Sequence, residues 1–123
     1  MVKITCKEDC GNSPKMLFLQ RFNIALAERD LPTLLDSVSD TITWDVIGKK
    51  RIQGKENFMD ALAEDIHISE LVIHQIVTHG KGGAVNGEFT LEDGTQFAFS
   101  NVYQFASAKG DKLQTLTSYV IKL

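Results

Sequence analysis

From Ile68 to its end the chain reads as a succession of segments with a two-residue period, each closed by a turn signal. The alternation predicts strands over 68–79, 84–91, 95–106 and 112–122. Gly80-Lys81-Gly82-Gly83, Asp93-Gly94 and Lys109-Gly110-Asp111 separate them, and Asp-Gly between two such runs is a strong hairpin signal. Consecutive strands joined by tight turns pair antiparallel, so this half of the chain is constrained to a meander. A meander has one apolar face to bury, and something must cover it.

The first half supplies the cover. Ser13-Pro14 joins an N-cap residue to a proline at the first helical position, where a missing N–H costs nothing. The helix expected over about 14–29 carries Phe18, Leu19, Phe22, Ala25 and Leu26 at helical spacings, with Lys15, Gln20, Asn23 and Glu28 falling between them. Asp30 caps a second, short helix with Pro32 in its first turn and Leu31, Leu34, Leu35 and Val38 on one stripe. From Thr41 the period drops to two, with Ile42, Trp44 and Val46 alternating against Thr41, Thr43 and Asp45 until Gly48. Lys49-Lys50-Arg51 reads as a basic turn, and Phe58, Met59 and Leu62 mark a third helix. Residues 1–12 show no usable period and read as an extension on a single domain spanning 1–123. Helices followed by a meander predict an α+β fold, with the helices packed on one face of a curved antiparallel sheet.

Composition narrows the function classes. A chain of 123 residues, 43% of them hydrophobic, has enough core to fold without a metal or disulfide staple. Thirteen Lys and Arg against sixteen Asp and Glu give a net charge of -3, which offers no basic field to nucleic acid. No apolar run exceeds four residues, as in Met16-Leu17-Phe18-Leu19, which is far short of a membrane span, and the first residues carry no apolar leader, so a cytoplasmic protein without membrane partners is expected.

Candidate chemistry concentrates on one strand. Phe97, Phe99, Tyr103 and Phe105 share a face with a single amide, Asn101, and an apolar wall with one polar group is how small-molecule pockets are lined. A filled core in which Asn101 bonds a neighbouring backbone group is the competing reading. Trp44, the sole tryptophan, shares a face with Val46, while Asp45 has the opposite phase. A bulge would turn Asp45 inward, where desolvation would raise its pKa and suit it to general-base work.

No metal site is expected. His74 and His79, five apart on one strand, are placed on opposite faces, and His67 and His79 are on the order of 40 Å apart along an extended strand. Cys6 and Cys10 have C-x3-C spacing with Glu8-Asp9 between them, which opposes thiolate formation. Two reduced structural cysteines are the expectation, with a disulfide or a redox-sensing pair in an interaction module as the alternative. Gly80-Lys81-Gly82-Gly83 lacks the phosphate-loop pattern and reads as a hairpin turn.

The order helix, helix, strand, helix, four-strand meander resembles the nuclear transport factor 2-like superfamily, which includes ketosteroid isomerase-like and polyketide cyclase-like proteins. The likeness runs from about Leu17 to Ile121, through FLQRFNIALAERDLPTLLDSVSDTITWDVIG, IQGKENF, THGKGGAVNG, FSNVYQF and LQTLTSYVI. It implies a cone-shaped roll, a pocket open at one end, and homodimers formed through the outer face of the sheet, where Tyr119 has the outward phase. It also implies that Phe22, Trp44, Val46, Phe58, Leu62, Phe99 and Tyr103 line the pocket, with Asn101 as polar anchor and Ser118 as a second.

The catalytic sets of the superfamily transfer poorly. The tyrosine donor of the ketosteroid isomerases falls on Phe22, their carboxylate base on Val46 and their acidic donor on Asn101, so two of three roles are lost. The epoxide hydrolase set of two aspartates and an arginine finds no match, since Arg21, Arg29 and Arg51 are not placed inward. The expected function is therefore binding of a small, largely apolar ligand without a cofactor. The alternative is an isomerase, cyclase or hydratase using Asp45 or Asn101.

Overall fold

Five segments with apolar alternation and three with helical periodicity assemble because each has a single face to bury. The computed structural model describes residues 2–7, 13–64 and 66–123. Its elements are β1 (Lys3–Cys6), α1 (Pro14–Glu28), α2 (Leu31–Asp36), β2 (Val38–Val46), β3 (Lys50–Gln53), α3 (Lys55–Leu62), β4 (Ile68–His79), β5 (Gly82–Leu91), β6 (Gln96–Phe105) and β7 (Leu113–Lys122). The seven strands form one curved, unclosed sheet in the order β1-β4-β5-β6-β7-β2-β3. The expected meander is its centre, antiparallel from β4 to β7. The flanks join it by parallel pairing, β2 to β7 and β1 to β4, and β3 folds back antiparallel on β2.

Local chemistry sets the boundaries. Ser13 accepts from the Met16 N–H to start α1, with Pro14 at its first position, and Asp30 accepts from the Thr33 N–H to start α2. The Asp93-Gly94 hairpin closes with Leu91 N–H donating to Thr95 O at 2.9 Å and Thr95 N–H to the Asp93 carboxylate at 2.9 Å. Hydrogen bonds from the Thr95 side chain and then from its backbone N–H hold the Asp93 carboxyl below its usual range.

Two short strands depart from expectation. Residues 3–6, read as part of an extension, pair with β4, and Lys50 and Arg51, read as a turn, belong to β3. Both are four-residue edge strands, too short to show a period. Cys6, expected reduced, takes part in a disulfide. Cys10 lies outside the described residues.

The curvature of the sheet has an identifiable origin in β4. Its register with β5 slips between Ile68 and Glu70 and again between Ile73 and Gln75, leaving Ser69 and His74 as extra residues. Ser69 Oγ caps the first bulge by donating to the Thr90 and Leu91 carbonyls at 3.2 and 3.3 Å. The inward residues Ile68, Leu71, Ile73 and Ile76 are therefore spaced three, two and three apart. Gly87 faces the second bulge, and a Cβ there would fall on the carbonyl of Val72. The bulge also corrects the expectation for the histidines. His74 Nε2 lies 2.8 Å from the Glu88 carboxylate on the outer face, and His79, after the bulge, is exposed on that face too.

The core lies between the helices and the concave face. Leu19, Phe22, Leu34, Val38, Ile42, Phe58, Phe105, Leu113 and Leu116 are each at most 1% exposed. Among the described residues no helix is long and apolar enough to cross a membrane.

Candidate functional site

The core stops short of filling the cone. Beyond Phe22 and Phe58 a cavity of about 340 Å³ remains between α1, α3 and the concave face, within the range of small-molecule sites. Its walls are apolar: Leu26 and Ala27 from α1, Trp44 and Val46 from β2, Leu71, Phe89, Leu91, Phe97 and Phe99 from the meander. The aromatic wall is continuous, with Phe89 stacked on Phe97 at 5.0 Å and tilted against Phe99 at 6.1 Å.

Three neutral polar side chains are set into this wall. Asn23, Asn101 and Ser118 are 3, 7 and 6% exposed; they are the buried polar residues among those described, and all three line the cavity. Asn23 Nδ2 donates to the Leu19 carbonyl at 2.7 Å. Its Oδ1 accepts from Asn101 Nδ2 at 3.2 Å and from the Tyr103 hydroxyl at 3.1 Å. Beyond these bonds the Asn23 amide nitrogen has a second proton and Asn101 its carbonyl oxygen. On the far wall Trp44 Nε1 donates to Ser118 Oγ at 2.9 Å, which leaves the serine its own proton to give. Tyr103 is buried behind the amides, and desolvation pushes its phenol far above the ordinary value against the weaker pull of both asparagines.

Charge appears at the mouth. Arg29, Lys49, Lys50 and Glu64 line it, and Lys50 pairs with Glu64 at 3.2 Å. Arg29 sits where α1 ends, and burial lowers the pKa of its guanidinium while the nearby Glu64 carboxylate works the other way.

The residues expected to form the site divide in two. Trp44, Val46, Phe99, Asn101 and Ser118 line the cavity. Phe22, Phe58, Leu62 and Tyr103 do not. They are 1, 0, 2 and 2% exposed and fill the core behind the wall, Phe22 edge-on to Tyr103 and Phe58 tilted against Trp44. The rotation of α1 is responsible, since it turns Asn23 toward the cavity and Phe22 onto the sheet. Asp45 stays on the outer face, opposite Arg51 across the β2–β3 pair, with their charged atoms 3.5 Å apart. No register shift separates Trp44, Asp45 and Val46, so nothing turns it inward. Among the described residues no His, Cys, Asp or Glu side chains group as metal ligands.

Arg29, read as not placed inward, lines the cavity, and so does Asn23, read as falling between the apolar positions of α1; Leu26, Leu71, Phe89 and Leu91 are further wall residues that the expected set lacks. The spacing of Asn23, four after Leu19 and three before Leu26, was a signal that it lies on the apolar stripe of α1.

No protein-family model and no curated protein matches the chain by sequence. Solved structures do match in shape. A nuclear transport factor 2-like protein of unknown function from Cytophaga hutchinsonii superposes with a TM-score of 0.72 at 16% identity, covering 90% of this chain and 93% of that one. An epoxide hydrolase of Mycobacterium tuberculosis gives 0.73 at 19% identity, over 87 and 82% of the two chains. A candidate SnoaL-like polyketide cyclase from Shewanella denitrificans gives 0.74 at 12% identity, over 89 and 92%. The chain shares its fold with these nuclear transport factor 2-like and polyketide cyclase-like structures. At these identities the likeness extends to the fold alone.

Proposed function

We propose that the cavity binds a small, largely apolar molecule that presents a carbonyl or hydroxyl to the Asn23–Asn101 pair. One observation carries this reading: the three polar residues buried among those described, Asn23, Asn101 and Ser118, are neutral, and all three line the same apolar cavity. Buried polar groups are normally paired off, and a wall that retains unspent protons at its centre is built to receive a guest. Acid–base chemistry through Asp45 has no support, because that carboxylate lies on the opposite face of β2.

Emission from Trp44 is a direct reporter, since it is the sole tryptophan and lines the cavity. Titration with cyclooctanone and with cyclooctane, matched in size, is expected to give saturable quenching with the ketone bound more tightly. Asn101→Leu should erase that preference. Equal affinity of both in the unaltered protein would refute the polar anchor, and the absence of any saturable response would refute the site.

We further propose self-association through the outer face. Val77, Ala84, Val102 and Thr117 are register neighbours in one row across four strands, and Val77 and Val102 are 49 and 44% exposed. A second copy would cover this apolar row, and Val102→Glu should then lower the mass measured by light scattering to that of one chain.

A further inference from the structure

The end of α1 is built in an unexpected way. Asp30 N–H donates to the Ala25 carbonyl at 2.9 Å and Arg29 N–H to the Leu26 carbonyl at 3.4 Å, the hydrogen-bond pair of a Schellman motif. The residue at the left-handed position of that motif is normally glycine, yet here it is Arg29, with φ 56° and ψ 43°. A β-carbon in this conformation is unfavourable, so the arginine is kept against local preference. Its placement shows what is obtained in return. Arg29 lines the cavity, its Nη1 donates to the Leu26 carbonyl at 3.0 Å, and its Nε is buried without a hydrogen-bond partner among the described residues.

One edge of the guanidinium is therefore committed to the helix, and the edge that contains Nε is buried with no partner at Nε among the described residues. A planar pair of N–H donors matches the two oxygens of a carboxylate. The surrounding charge favours the same guest. Arg29, Lys49 and Lys50 face one carboxylate, Glu64, at the mouth of the cavity, in a chain whose net charge is -3. Along α1 the six residues from Asn23 to Arg29 span about 9 Å, so the cationic and the amide ends of the cavity are separated by a length of apolar wall.

Resting on the reading of the cavity as a ligand site, we infer that its ligand is a medium-length hydroxy- or oxo-carboxylic acid, with the carboxylate on Arg29 and the other oxygen at Asn23 and Asn101. The cavity of about 340 Å³ equals the volume of roughly eleven waters at ~30 Å³ each, and 8-hydroxyoctanoate has a comparable number of heavy atoms.

The test compares 8-hydroxyoctanoate with its neutral amide, 8-hydroxyoctanamide, by calorimetry and Trp44 emission. A charge-assisted hydrogen bond that the amide cannot make predicts that the acid binds about tenfold or more tightly. The gap should close in Arg29→Gln and in Arg29→Gly. The glycine variant relieves the left-handed backbone, so it should melt no lower than the parent, whereas an arginine with a purely structural role would lower the melting temperature when removed. Equal binding of acid and amide would overturn the carboxylate assignment and leave the apolar site standing. A gap that survives Arg29→Gln but closes in Lys49→Ala would overturn the role of Arg29. Failure of both probes to bind at millimolar concentration would overturn this inference, while the ketone titration above reports separately on the site itself.

Discussion

Asn23 on α1 and Asn101 on β6, 78 positions apart in sequence, meet side chain to side chain at 3.2 Å in the wall of the cavity. The contact ties the principal helix to the centre of the sheet, and the Tyr103 hydroxyl reinforces it by donating to the same oxygen. Replacing Asn23 by leucine keeps the volume and leaves two buried donors without an acceptor. At about 1–3 kcal/mol for each stranded group, the total loss is expected near 2–4 kcal/mol, since the amide of Asn101 can turn to the cavity. Urea denaturation followed by far-ultraviolet circular dichroism measures it, and a loss below half a kcal/mol would show that the amides are not a structural tie.

Tyr103 gives the fold an alkaline limit. Burial raises its pKa in the folded state above the unfolded value of 10.0, so the folded chain holds a proton that the unfolded chain releases. The contribution of this residue is fully present below about pH 10 and is lost as pH rises from there toward the higher folded value, at up to ~1.4 kcal/mol per pH unit. Tyr103→Phe should flatten that part of the profile. A stability curve of the same slope above pH 10 in the variant would assign the alkaline limit to other groups.

Ser118 and Trp44 form the second polar contact of the wall, at 2.9 Å. Ser118→Ala removes the acceptor of a half-buried indole and is expected to cost about 1 kcal/mol. The emission maximum of Trp44 should move to shorter wavelength, because the indole loses a polar neighbour. An unchanged spectrum would mean that the bond does not persist in solution.

At Gly87 the backbones of β4 and β5 approach too closely for a side chain. Gly87→Ala is expected to destabilise by about 3 kcal/mol, the upper end for overpacking, because the obstructing atom is a carbonyl oxygen. Gly82 lies on the same strand, where a Cβ meets the His79 carbonyl oxygen at an ordinary 3.5 Å. Alanine there should change stability by less than about 1 kcal/mol. Similar losses at both positions in thermal melts would refute close approach as the cause.

The legible part of this chain was whatever repeats locally. Ser13-Pro14 announced α1, Asp30 announced α2, and the glycine turns separated β4 to β7 correctly, because caps and turns are decided by a few adjacent residues. Strand phase also placed Phe99, Asn101 and Ser118 on the concave side. The remainder depends on partners distant in sequence. KITC and KRIQ become strands only because β4 and β2 offer them an edge. Phe22 and Phe58 are behind the wall rather than in it because of how α1 and α3 rotate against the sheet, which periodicity does not specify. Arg29 was hidden for another reason: an αL residue at the end of a helix is usually announced by glycine, and this one is not.

The two bulges mean that β4 is written in three frames: Ile68 faces inward ahead of Ser69, Leu71 and Ile73 between the bulges, and Ile76 beyond His74. Loss of one residue at position 74 would merge the last two frames into one. Ile73 and Ile76 would then stand two apart, opposite Gly87 and Val85 as they are now, and Gln75 would stay opposite Asn86 on the outer face. Such a deletion removes the local bend and leaves the division of side chains between core and solvent unchanged, so position 74 acts as slack in the strand.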